Sequence, residues 1–280
     1  MEPKVITKKG ERPPAILTSV SPQLAAEERQ TAALKSWKGA GFHGVSLNLP
    51  KEVETIRQRY GKFVEVVGVD QACRGRNKRP LVAVADLIET SFARNEGKFS
   101  LMLNADILLS ENARTTLSQE PRGVTMIPRW QIDRYESGGE MEKMERDPWG
   151  YDGVLLGPEL RGVFLNRYFG LGLPWWDYWI PFRALHLGHR VQVLQEPLAF
   201  HVRHQELWDE KDRARLAGEM WKEVGVPPWK RLFRKHFGLK RERKNYGFHN
   251  HLAGHIKEVI QTGALRSDIG ISKKGFRPYY

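Results

Sequence analysis

The chain has 280 residues, 40% of them hydrophobic, with 45 Lys/Arg against 33 Asp/Glu and a formal net charge of +12. That length suits one large domain or a domain with a small appendage, and the charge points to an anionic partner: nucleic acid, an acidic membrane surface or a phosphorylated substrate. The lone cysteine, Cys73, excludes an intrachain disulfide framework, and no apolar run approaches the roughly 20 residues needed to span a bilayer.

Residues 1–14 are polar and basic and end in Pro13-Pro14, the pattern of a flexible lead-in without the apolar core of a secretion signal. Together with the single cysteine this predicts a reducing, cytoplasmic setting, with peripheral contact to a membrane or nucleic acid left open. Residues 15–20 read as a strand, and Ser21-Pro22 as the cap and first position of a helix running to about Lys38. A strand over 44–47 ends at Asn48, a helix covers 51–60, and a strand over 63–69 ends at Asp70. The loop 71–79 carries Arg74, Arg76, Lys78 and Arg79. Pro80 opens a third helix to about Arg94. The apolar run Phe99-Ser-Leu-Met-Leu103 behind Gly97 reads as a strand buried on both faces.

This β/α alternation implies a parallel sheet with helices on both faces, whose ligands sit beyond the carboxyl ends of the strands. Those ends carry Ser19, Asn48, Asp70 and the triplet Asn104-Ala105-Asp106. A carboxylate between two apolar runs is costly to bury unless satisfied; Asp106 either caps a following helix or binds a divalent cation. Further on, 123–127 reads as a strand, 128–150 as a polar loop able to fold over substrate, and 151–156 and 160–165 as short strands. The segment Gly170-Leu-Gly-Leu-Pro-Trp-Trp-Asp-Tyr-Trp-Ile-Pro181 surrounds Asp177 with four aromatics at the start of a helix. An acid there suits the helix dipole, but walls of Trp also desolvate it and raise its proton affinity, as a general base requires. Strands follow over 191–194 and 198–202, the second carrying His201, with His204 close behind.

The triplet resembles the Asp-x-Asp motif of the GT-A glycosyltransferase family, with Asn104 in place of the first Asp. The resemblance covers roughly residues 15–205 and implies a GT-A, Rossmann-like α/β fold with a mixed central sheet. It further implies transfer of a sugar from a nucleotide-diphosphate sugar to a hydroxyl acceptor. Asp106 would ligate Mn²⁺ or Mg²⁺, His201 (or, as second choice, His204) would add a ligand, and Asp177 would be the base of an inverting reaction. Ser19, Asn48, Asp70, Asn104 and Asp106 would bind the donor. Trp175, Trp176 and Trp179 would line the acceptor side, since their faces stack on sugars.

Residues 206–280 are expected to form a basic helical extension: an amphipathic helix over 206–224, then eight Lys/Arg within 230–244, fit for contact with an anionic surface. His251 and His255 are spaced for chelation, but no acid or cysteine completes a zinc set. The charge leaves two acceptors open, a glycan or a nucleic acid carrying a hydroxymethylated base. It also leaves open a non-enzymatic, basic nucleic-acid-binding protein on the same fold.

Overall fold

The computed structural model describes residues 12–75, 80–135, 141–142, 144–204 and 210–224. The first half alternates as expected: β1 (Ala15–Thr18), a 3-10 turn at Leu24–Ala26, α1 (Glu27–Gly39), β2 (His43–Asn48), α2 (Pro50–Tyr60), β3 (Val64–Gly68), α3 (Val84–Arg94) and β4 (Ser100–Leu103). There follow β5 (Ile107–Leu109), α4 (Ala113–Leu117), β6 (Val124–Ile132), a small hairpin of β7 (Arg134–Tyr135) and β8 (Met141–Glu142), and β9 (Glu145–Leu156). A 3-10 turn at Pro158–Leu160, α5 (Trp176–His186), β10 (Val191–Val193), β11 (Ala199–Val202) and α6 (Glu210–Val224) complete the described elements.

Nine strands form one mixed sheet in the order β3-β2-β1-β4-β9-β6-β11-β5, with β10 beside the first half of β6. The pairs β3-β2-β1-β4 are parallel, and β9 is antiparallel to both β4 and β6. Alternation along each strand feeds two cores. Leu17, Leu47 and Met102 face one layer with Leu87 and Phe92 of α3, Trp179 of α5 and Leu216 of α6. Ile16, Leu101 and Leu103 face the other, with Trp37 of α1 and Ile56 and Tyr60 of α2. This is the Rossmann-like α/β fold with a mixed sheet and helices on both faces that the sequence predicts. The buried side of α6 (Leu216, Ala217, Met220) belongs to the same core as the sheet, so the helix expected in the appendage packs as part of the main body.

Several local expectations are corrected. Ser21 does not cap α1: a 3-10 turn intervenes, and Ser21 is held by Gln30, which accepts from its N–H and donates to its carbonyl. α3 starts at Val84, because Val82 and Ala83 are engaged in bridges to Ala72 and Gly170. Asp106 caps no helix, since Ile107–Leu109 is a strand. The described residues of the polar stretch 128–150 are mostly strand rather than loop: β6 and β9 form a bulged antiparallel pair, with Trp130 opposite Arg146 and Gln131 opposite Glu145, and β7 pairs with β8. Residues 160–165 form no strand. The basic segment 230–244 and the histidines at 249–255 lie outside the described residues.

Candidate active site

A cleft of about 1120 Å³ opens where β1 and β4 end. Ser19 and Arg29 line one side, Asn104 and Asp106 the floor, and Trp175, Trp176, Asp177 and Tyr178 the far side. Arg129 and Gln131 enter from β6, Asp152 from β9, His201 and His204 from the end of β11, and Arg213 from α6.

Sheet register builds the first cluster. His201 pairs with Ile107 on β5 and with Gln131 on β6, which sets its ring beside Asp106. His204 Nε2 lies 3.1 Å from Asp106 Oδ2 and 3.1 Å from His201 Nε2, and His201 Nε2 lies 3.7 Å from that same carboxylate oxygen. The three ligating atoms fall within 4.8 Å of one another. Burial alone would raise the proton affinity of Asp106, but the imidazoles of His201 and His204 facing it hold its carboxyl well below the usual range. One carboxylate and two imidazoles converging on the wall of an open cleft fit a divalent transition ion and leave coordination positions for a ligand. Imidazole suits Mn²⁺ better than Mg²⁺, which prefers an all-oxygen shell.

The second cluster surrounds Asp177, in the first turn of α5. Burial and the nearby Asp152 push its carboxyl up to about 7, against the opposing pull of Arg129 and the N–H groups of Asp177 and Tyr151. Arg129 spans the set, donating to Asp147 at 2.6 Å and to Asp152 at 3.2 Å. Asp152 accepts from Asn104 Nδ2 at 2.8 Å, and its backbone carbonyl accepts the Asn104 N–H at 2.8 Å. An amide at 104 can donate to Asp152, whereas a carboxylate there would face another carboxylate. This explains in physical terms why Asn stands at the first position of the triplet.

Trp175 precedes α5 with φ of 76°, a left-handed conformation that strains a bulky residue. Its Nε1–H donates to the Arg213 carbonyl at 2.9 Å, and Tyr178 meets its ring edge-on at 5.7 Å. Strain of this kind gathers where a side chain has to be aimed, and Trp175 is aimed at the cleft wall.

The cleft thus gathers Ser19, Asn104, Asp106, Trp175, Trp176, Asp177 and His201 from the residues singled out in the sequence, and adds His204. Three others are corrected. Asn48 is fully buried, accepting from Ser46 Oγ and donating to the Val20 carbonyl; it braces the chain after β1 and does not line the cleft. Asp70 is exposed in the loop after β3 and does not line it either. Trp179 is fully buried and stacked on Phe169 at 4.5 Å, so it packs the core beneath the acceptor wall instead of forming it. Sequence reasoning missed Arg129, Gln131 and Asp152, which reach the cleft only through the β6/β9 pairing, and Asp147, which holds Arg129 and Gln131 from behind. The available signal was the two-residue spacing of Arg129 and Gln131, which places both on one face of a strand.

No protein-family model and no curated protein matches the sequence. Among solved structures the chain is similar to a proposed glucose-1-phosphate thymidylyltransferase of Bacillus anthracis, at TM-score 0.31 and 8% identity, covering 52% of this chain and 72% of that one. It is also similar to the 4-diphosphocytidyl-2C-methyl-D-erythritol synthase of Anaerococcus prevotii, at TM-score 0.37 and 10% identity, covering 71% and 93%. At TM-scores this low neither likeness bears on function. No helix among the described residues is long and apolar enough to cross a membrane.

Proposed function

We propose that the protein is a metal-dependent glycosyltransferase that moves a sugar from a nucleotide-diphosphate sugar to a hydroxyl acceptor with inversion. One observation carries the reading. A cation-ready cluster, Asp106, His201 and His204, and a carboxyl with an affinity tuned near neutrality, Asp177, line the same cleft beyond the parallel strands.

Asp106, His201 and His204 would hold the cation, which supplies charge neutralisation to the departing diphosphate. Arg29, Lys51, Arg203 and Arg213 line the cleft and add positive potential for an anionic donor. Ser19 and Asn104 stand at the strand ends against which the donor would lie. On the other side Asp177 takes the proton of the acceptor hydroxyl. The freed oxygen then bonds the anomeric carbon as the bond to diphosphate breaks on the opposite face. A base with proton affinity near the working pH is well matched to that transfer. Trp175 and Trp176 offer apolar faces to the acceptor, joined by Tyr178.

Cleavage of a panel of nucleotide-diphosphate sugars with Mn²⁺, lost in Asp106→Ala, tests the reading; absence of cleavage or transfer with every donor removes it. A second acceptor reading has its own support: 13 of the 45 Lys/Arg but only three of the 33 Asp/Glu fall in residues 225–280. That concentration favours an anionic acceptor such as a hydroxymethylated nucleic-acid base, flipped out to meet Asp177. Transfer of labelled sugar to modified DNA, compared with glycan extracts, separates the two acceptors. Tight, salt-sensitive DNA binding without any nucleotide-sugar binding would instead mark a non-enzymatic binder on this fold.

A further inference from the structure

Gln131 stands at a join that the transfer chemistry above does not use. In the sheet it lies directly across from His201 of β11 on one side and Glu145 of β9 on the other. Direct cross-strand neighbours carry their side chains on the same face, so Gln131 and His201 meet without distortion. Gln131 Oε1 is 3.1 Å from His201 Nδ1, and Gln131 Nε2 is 3.1 Å from Asp147 Oδ2.

Chemistry alone fixes the direction of both bonds. Asp147 is paired with the Arg129 guanidinium at 2.6 Å, and a carboxylate so placed only accepts. Gln131 must therefore turn its NH₂ group toward Asp147, which leaves its carbonyl oxygen facing His201. A carbonyl oxygen also only accepts, so His201 Nδ1 carries the hydrogen. In the neutral imidazole that can ligate a metal, His201 Nε2, which faces Asp106 and His204, is then the nitrogen with a free lone pair. Had Gln131 been Leu, nothing in this row would select the tautomer.

We infer that Gln131, anchored by Asp147, is a positioning residue that locks His201 in its Nδ1–H tautomer and so presents Nε2 to a divalent cation. The inference rests on reading Asp106, His201 and His204 as a cation site. It ties that site to the acid cluster, because the Asp147 carboxylate that anchors Gln131 also holds Arg129, the cation that tempers Asp177. Partners of this kind behind a ligating histidine are worth about 10–100-fold in metal affinity.

The test uses the full chain and two readouts. Mn²⁺ titration calorimetry should show Gln131→Leu binding roughly 10–100-fold more weakly than wild type. The double variant Gln131→Glu/Asp147→Asn keeps an acceptor at 131 facing His201 Nδ1, reverses the 131–147 bond and preserves the net charge, and should recover most of that loss. It also decides the matter if Gln131→Leu fails to fold. Imidazole ¹⁵N–¹H correlation spectra of the metal-free protein should show His201 protonated at Nδ1 in wild type and in the double variant, and a mixture of tautomers in Gln131→Leu. Wild-type His201 protonated at Nε2, or Gln131→Leu binding Mn²⁺ as tightly as wild type, overturns the inference. If wild type binds no Mn²⁺, the cation-site reading fails by itself, and the metal-free tautomer spectrum still rules on Gln131.

Discussion

Asp106 and Asp177 line one cleft, yet their surroundings drive their carboxyl groups in opposite directions. Asp106 ends the short turn after β4 with two imidazoles against it, and stays ionised well below the usual carboxylate range. Asp177 sits in the first turn of α5 among Trp175, Trp176 and Tyr178, and burial with the neighbouring Asp152 pushes it up to about 7. The residue type is the same; the partners differ. An acid with cationic or metal-ligating neighbours is suited to hold charge permanently, and one stripped of solvent beside a like charge is suited to pick up a proton and release it. Where environments separate two acids this way, their roles separate too.

The strongest way to break the contrast is to remove the permanent charge. Asp106→Ala should abolish Mn²⁺ binding in calorimetry and lower Mn²⁺-dependent donor cleavage on the order of 10³-fold. Asp177→Asn should leave Mn²⁺ affinity unchanged while kcat for sugar transfer falls roughly 10²–10⁴-fold. If both variants lose metal binding alike, the two acids do not divide the work.

The separation also has a pH signature. Wild-type kcat/KM should rise through an acid limb centred near 7, where Asp177 loses its proton, and Asp177→Asn should lack that limb. Stability should run the other way. The folded chain keeps the Asp177 proton to about 7, whereas the unfolded chain releases it near 3.8. Stability from this group is therefore fully present below that lower value and is lost as pH rises through 7. Thermal melts at pH 8 should show Asp177→Asn with a higher Tm than wild type, and the advantage should shrink at pH 5.

Smaller changes sharpen the link between the two ends. Asn104→Asp turns a donor to Asp152 into a second carboxylate facing it, and should cost about 1–3 kcal/mol in urea unfolding. Pairing it with Asp152→Asn reverses the bond and should recover most of the loss. The least expected effect on chemistry is from Gly153→Ala. A Cβ there would run into the Leu103 side chain on β4, beneath Asn104, and overpacking of this kind costs about 1–3 kcal/mol. Its kcat should fall less than that of Asp177→Asn.

The parallel half of the fold was legible because each strand is a short apolar run bounded by Gly, Pro or a polar end, and each helix between them has its own stops. Leu101, Met102 and Leu103 are all fully buried, as a run without alternation demands. The β6/β9 pair was not legible. Pro128 and Pro148 interrupt it, and charges at 129, 145, 146 and 147 sit within it, so its sequence has the composition of a loop. That single misreading hid Arg129, Gln131, Asp147 and Asp152, which meet only through tertiary pairing. Asp106, His201 and Asp177 could be picked out one at a time because each breaks a local pattern: an acid after an apolar strand, a histidine on one, an acid among tryptophans. Trp179 was misplaced for the converse reason, since a run of aromatics does not reveal which ring turns inward to stack on Phe169.

The account stands on a cation held by Asp106, His201 and His204 that helps bind a diphosphate in the cleft. Thermal melts of the wild-type protein and Asp106→Ala, with a panel of nucleoside diphosphates in the presence and absence of Mn²⁺, test it most directly, because a ligand that binds only the folded state raises the midpoint. Wild-type Tm should rise with one nucleoside diphosphate and Mn²⁺ together by more than the sum of the separate shifts, and this rise should be missing in Asp106→Ala. No rise with any pair, or an equal rise in the variant, would contradict it.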